Sequence, residues 1–250
     1  MQLRCGMPMR LEPSMRQLVL DLPVDEGAGI DDFLRDTSNE TAFDAVMAWP
    51  RWPSTALIID GPAGCGKSHL ARIWAGQSDA LLLNAAEVFD GGAPVERLGH
   101  SRCCAVDDAD RVEDEVLLLQ LYNVCRERSG SLLLTASTPL GAWLPMLPDL
   151  ASRLRTSLTS HIAAPRDELL AAVLVKQFRD RQLQVPSEVV YYLLRHMERS
   201  FEAARAMVRA LDRASLHAKW PITLPLARRV LALVQDMNQR PSPSSTIWGD

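Results

Sequence analysis

A chain of 250 residues, 47% hydrophobic and 23% charged, is long enough to bury an α/β core and a small second domain, which excludes a disordered or fibrous protein. A formal net charge of −4 excludes a protein whose whole surface coats nucleic acid, because that task needs a basic exterior.

Residues 1 to about 29 read as an irregular arm, broken by Pro8, Pro13, Pro23, Gly27 and Gly29 and holding the alternating segment Gln17-Leu18-Val19-Leu20-Asp21-Leu22. From Thr55 onward, short apolar runs alternate with helical stretches. Ala56-Leu57-Ile58-Ile59 predicts a buried strand that leads into a glycine-rich loop, and His69 to Ala75 continues the helix the loop opens. Ala80 to Asn84 and Cys103 to Asp107 predict two more strands. A helix over about 112 to 128 follows, with Val116, Leu117, Gln120, Leu121 and Val124 at helical spacing and Gly130 as its stop. Ser131 to Thr135 and Leu158 to Ile162 complete five strands. Each strand is a continuous apolar run, so the sheet is expected to be parallel and covered on both faces.

After Pro165 the pattern turns all-helical. Asp167 to Arg181, Pro186 to His196, Phe201 to His217 and Leu224 to Gln235 read as four helices, with Ser200 as N-cap of the third. The expected organisation is an arm over 1–29, an α/β domain over 30–164, a small four-helix domain over 165–236 and a Pro/Ser-rich tail over 237–250, read as disordered. Cys5, Cys65, Cys103, Cys104 and Cys125 are an odd number without metal-ligand spacing, so no disulfide framework is expected. No signal peptide and no run of ~18 apolar residues is present, and a cytoplasmic protein without a membrane partner is expected.

Gly61-Pro62-Ala63-Gly64-Cys65-Gly66-Lys67-Ser68 matches G-x-x-x-x-G-K-[ST] between a strand and a helix, the setting that a phosphate-binding loop requires. Its glycines let backbone amides close round the phosphates of ATP or ADP, with the dipole of the helix, which continues at His69, adding to the attraction. Lys67 would reach the β- and γ-phosphates and the Ser68 hydroxyl would ligate Mg2+. Asp107, leaving the third strand, suits the Walker B role toward the same Mg2+, and Asp108 would orient the attacking water. At the end of the fourth strand a polar residue can sense the γ-phosphate; Ser137 is the first choice and Thr135 the second. The helix N-terminus beside Cys65 would lower its thiol pKa and make it oxidisable, or Cys65 is a tolerated residue at a variable position.

Together these motifs resemble the initiator, or DnaA, branch of the AAA+ ATPases. Asp31-Asp32-Phe33-Leu34 followed by Ser38-Asn39 looks like that branch's adenine-side segment, which implies Phe33 and Asn39 beside the base. Asp149-Leu150-Ala151-Ser152-Arg153-Leu154 is similar to its box VII. There the resemblance makes Arg153 an arginine finger aimed at a neighbouring subunit's γ-phosphate, with Arg155 close by. Within the branch, Gln17 to Leu22 resembles the clamp-binding motif QLxLxL of the Hda family. Leu211-Asp212-Arg213-Ala214-Ser215-Leu216 is also Hda-like, and the chain stops after the helical lid. The resemblance spans about residues 16 to 236.

It implies an AAA+ protein with a five-stranded parallel sheet and a four-helix lid, bound to ADP or ATP with Mg2+. Such a protein docks on the DNA-loaded β sliding clamp of DNA polymerase III through Gln17, Leu18, Leu20 and Leu22, and meets DNA through the clamp. It then presents Arg153 to ATP-bound DnaA, whose hydrolysis limits replication initiation. Its own ATPase activity is expected to be weak at most, because alignment on Leu211 to Ser215 puts Glu202 at the family's sensor 2 arginine. Arg205, one turn later on the same face, is the candidate substitute. The alternatives are a helicase-loader or transposition-helper ATPase of the same branch that binds single-stranded DNA, a P-loop small-molecule kinase, and a nucleotide-stabilised adaptor. A homo-oligomer stays open.

Overall fold

The computed structural model describes residues 29–30, 33–89, 94–218 and 221–239. The arm with Gln17, Leu18, Leu20 and Leu22, the acids Asp31 and Asp32, and the tail from residue 240 lie outside the described residues.

Five strands form one parallel sheet: β1 (Ala56–Asp60), β2 (Leu81–Asn84), β3 (Cys104–Asp107), β4 (Leu132–Ala136) and β5 (Leu158–His161). They lie in the order β2-β3-β4-β1-β5. Alternate residues of β1 to β4 serve two different cores, which is why those runs are apolar almost throughout. Ala56, Ile58, Cys104, Val106, Leu132 and Leu134 face one layer with helices α5 (Glu115–Glu127) and α6 (Pro148–Arg155). Leu57, Ile59, Ala105 and Leu133 face the other, with α1 (Glu40–Met47) and α2 (Lys67–Ser78). Short helices α3 (Ala85–Phe89) and α4 (Pro94–Leu98) fill the β2-to-β3 crossover.

Local chemistry places the ends. Asp114 caps α5, its carboxylate accepting from the Val116 and Leu117 amides at 3.0 and 3.2 Å. Pro148 occupies the first turn of α6, where its missing N–H costs the helix nothing. Helix α1 has no periodic run long enough to stand out in the sequence. It is held by burial of Ala42, Phe43 and Val46, and Trp52 after it stacks on Trp74 at 5.2 Å.

Four helices follow the sheet: α7 (Asp167–Asp180), α8 (Ser187–His196), α9 (Phe201–Ala218) and α10 (Leu224–Gln239). Leu170, Leu174, Phe178, Leu193, Met207, Val208, Leu211 and Leu231 make their separate core. Ser200 caps α9 as the sequence predicts, its hydroxyl oxygen accepting from the Ala203 amide at 3.0 Å. No helix among the described residues is long and apolar enough to cross a membrane.

Candidate functional site

The sheet order sets the site. β1 lies between β4 and β5, while the chain after it crosses to the far edge to form β2. The loop from Gly61 to Gly66 therefore opens at the carboxyl edge of the sheet, at a reversal of strand order where α/β folds bind ligands. A Cβ on Gly61 would stand 2.3 Å from the Ile162 carbonyl oxygen, so only glycine fits there. Gly66 ends the loop at φ 111°, from which α2 begins. Lys67 is buried at 5% exposure, and its Nζ donates to the carbonyls of Gly61 and Pro62 at 2.8 and 2.9 Å. The first amides of α2 have no acceptor within the helix, and together with the Lys67 ammonium they suit a phosphate group. Pro62 and Ala63 are exposed on the loop crest, and Ser68 is half-buried in the first turn of α2.

Cys65 corrects an expectation. The thiol is 1% exposed, and burial pushes its pKa above the ordinary cysteine value despite the charge of Lys67 nearby. Desolvation of the thiolate outweighs the helix end and the ammonium, so Cys65 is a packed side chain and not an oxidisable one.

Two strands away, β3 ends on Asp107. Its Oδ1 accepts a hydrogen bond from Thr135 Oγ1, and Thr135 Oγ1 in turn accepts the Asp108 N–H at 3.0 Å. Thr135 is fully buried on β4, between the strand of the phosphate loop and that of Asp107. Asp108 takes the left-handed conformation at φ 57°, which an aspartate tolerates better than most residues. Ser137, the first choice in the sequence, lies past the strand end; its N–H donates to Asp110 Oδ2 at 2.9 Å, and Thr138 Oγ1 reaches the same oxygen at 3.3 Å. The contact with Asp107 and Asp108 thus belongs to Thr135. Ser68 and Asp107 offer the hard oxygen donors that Mg2+ takes together with phosphates and water. Among the described residues no cluster of three or more His, Cys, Asp or Glu forms a metal cage of its own.

Phe33 lies against the loop from the other side. Its ring stacks on Phe43 at 5.3 Å, meets His69 edge-on at 5.5 Å, and comes within 3.7 Å of where a Cβ on Gly66 would be. Asn39 is buried with its amide committed locally: Oδ1 accepts from the Asp36 N–H at 2.9 Å and Nδ2 donates to Leu34 O at 3.0 Å. It shapes the turn behind Phe33. From the lid, the start of α9 reaches the loop, the Phe201 N–H donating to Gly64 O at 2.8 Å. Glu202 is exposed there, and Arg205 follows on α9, half-buried.

Arg153 is elsewhere, on α6. Its Nε and Nη2 donate to Asp149 at 3.0 and 2.9 Å, and its guanidinium lies over the Tyr122 ring at 5.4 Å. Arg155 is exposed near the end of the same helix. Glu115 was not visible as a site residue. Its carboxylate accepts the Met146 and Leu147 amides at 2.9 and 2.6 Å, which pins the segment that starts α6. It lies seven residues before Tyr122, so the two share one face of α5.

With this geometry in place, residues 167–231 match the family profile described as Hda, lid domain. The four-helix lid is therefore Hda-like. A Haemophilus influenzae protein without an assigned role is 28% identical over 191 residues, which are 71% of this chain and 81% of that one. Domain III of the Thermotoga maritima replication initiation protein DnaA shares the fold with a TM-score of 0.69 at 16% identity, covering 84% of this chain and 98% of that chain. AMPPCP-bound DnaA from Aquifex aeolicus gives 0.65 at 14% identity, covering 82% and 69%. A mutant of Thermotoga maritima RuvB gives 0.66 at 13%, covering 84% and 73%. The chain therefore has the AAA+ fold, with a lid that matches the Hda lid profile.

Proposed function

We propose that the Hda-like chain holds ADP or ATP in its phosphate loop and stimulates hydrolysis of the ATP bound to DnaA, restraining replication initiation in the cytoplasm from a seat on the sliding clamp. The observation that carries this reading is the placement of Arg153. Its contacts are with α5 and α6, whereas the phosphate loop is contacted by Phe33, Ile162 and the start of α9. An arginine so placed suits a neighbour's phosphate better than its own.

Within the chain's own site, the loop amides and Lys67 would bind the phosphates, and Phe33 would wall the base. Ser68 and Asp107 would hold Mg2+, which supplies neutralisation of the β- and γ-phosphate charge. Thr135 keeps Asp107 and Asp108 in place. In the partner's site the guanidinium of Arg153 would neutralise charge that develops as the γ-phosphoryl leaves, an effect worth on the order of 10³ or more in rate for arginines supplied in trans. Gln17, Leu18, Leu20 and Leu22 would seat in an apolar groove of the DNA-loaded β clamp, bringing the chain to DnaA.

The test is hydrolysis of ATP on DnaA with clamp-loaded DNA present. Wild-type chain should accelerate it, Arg153→Ala should lose at least about 100-fold of the stimulation, and Gln17→Ala with Leu18→Ala should lose binding to the clamp. An Arg153→Ala chain as active as wild type would overturn the finger. Tight binding of single-stranded DNA without any effect on DnaA would instead favour a helicase loader or transposition helper.

A further inference from the structure

The lid touches the phosphate loop through its backbone. The Phe201 N–H donates to the Gly64 carbonyl at 2.8 Å. A Cβ on Gly64, whose φ is +67°, would stand 2.6 Å from Ser200 Cβ and 3.3 Å from Glu202 Cβ, so the two backbone segments meet with no room for a side chain on Gly64. Ser200 itself is buried and its hydroxyl is taken by the Ala203 amide. Phe201 is the first residue of α9, and an amide there has no acceptor within its own helix. The bond to Gly64 is therefore free of any duty to the lid's own fold.

Its effect follows from the planarity of the peptide. The Gly64 carbonyl and the Cys65 N–H belong to one rigid trans unit and point in opposite directions. Holding the carbonyl toward α9 turns the Cys65 N–H away from the lid. We propose that Phe201 is a positioning residue: through its backbone N–H, the lid sets the Gly64–Cys65 peptide in the orientation that lets the Cys65 amide bind phosphate. This rests on the reading of the loop as a nucleotide site, and is independent of the DnaA and clamp partners.

Proline at the first helical position keeps the helix start and removes the N–H, whereas alanine keeps the N–H and removes the ring that lies near Gly66. The experiment compares full-length wild type, Phe201→Pro and Phe201→Ala by Kd for a fluorescent ADP, and by amide hydrogen exchange of residues 61–66 without nucleotide. Phe201→Ala should stay within about threefold of wild type, and Phe201→Pro should bind about five- to tenfold more weakly with faster exchange in the loop, as the loss of one backbone hydrogen bond allows. Equal affinity and equal loop exchange in the two variants would overturn the proposal while leaving the nucleotide site standing. Failure of the wild type to bind ADP would overturn both. If Phe201→Pro does not fold, the wild-type Phe201 amide decides: exchange slower than in a free peptide supports the contact, and exchange at the free-peptide rate overturns it.

Discussion

Arg153 and Asp149 form a two-bond clasp within one turn of α6, Nε to Oδ1 at 3.0 Å and Nη2 to Oδ2 at 2.9 Å. The carboxylate occupies the fork of the guanidinium that a phosphate would take. The Asp149 side chain is 56% exposed against 19% for Arg153, so the carboxylate side of the pair is open to solvent and screened. Asp149→Ala is thus expected to change stimulation of DnaA hydrolysis by less than roughly fivefold. Arg153→Lys should lose at least about tenfold, because a lysine cannot offer the planar fork. Rates measured side by side check this, and an Asp149→Ala chain as dead as Arg153→Ala would mean that Asp149 itself serves the reaction.

The same clasp has a defined pH response. Hydrogen bonds from Arg153 hold the Asp149 carboxyl below its ordinary value of 3.8. A depressed carboxyl contributes above its unfolded pKa and loses that contribution as pH falls through the folded one. Asp149 therefore stays ionised at every pH above about 4. The ratio of wild-type to Asp149→Ala stimulation should stay flat between about pH 6 and 8.5. A ratio that moves across that range would show a titrating group other than Asp149 beside Arg153.

Glu115 fixes where α6 starts. Its two oxygens hold the Met146 and Leu147 amides, and Glu115→Gln replaces one of those acceptors with a donor. A loss of about 1–2 kcal/mol in unfolding free energy is expected by denaturant titration. Stimulation of DnaA should fall while ADP affinity stays at the wild-type level, since the phosphate loop is on other elements. A parallel fall in ADP affinity would show that the damage spreads beyond α6.

Much of this was legible in the residues, and the remainder fails for physical reasons. Strand positions could be read to about one residue because a sheet covered on both faces leaves continuous apolar runs, and the phosphate loop is contiguous in sequence. Thr135 could not be ranked over Ser137, because the choice depends on the register that sets Val106 beside Leu134 and Asp60 beside Ala136. Asn39 has the composition of a base contact, yet its amide is spent on the turn at Leu34 and Asp36. Cys65 sits at a helix start that favours a thiolate, and burial reverses the sign. Glu115 and Leu147, or Phe201 and Gly64, are far apart in the chain and meet through packing alone.

Thr135 supplies the sharpest test of the acid edge. Its hydroxyl donates to Asp107 and accepts from the Asp108 N–H, all at the end of a fully buried strand. Thr135→Val keeps the shape and removes both bonds, leaving a carboxylate oxygen and an amide without that partner. The expected cost is about 2–3 kcal/mol in stability, read as a fall in Tm without nucleotide. Asp107 is also released from its fixed rotamer, so the gain in nucleotide affinity on adding Mg2+ should shrink. Ser137→Ala is the control: the structure uses its backbone N–H toward Asp110, and its replacement should shift stability by less than about 0.5 kcal/mol. A Thr135→Val chain that melts and responds to Mg2+ like wild type, beside a Ser137→Ala chain that does not, would return the sensing role to Ser137.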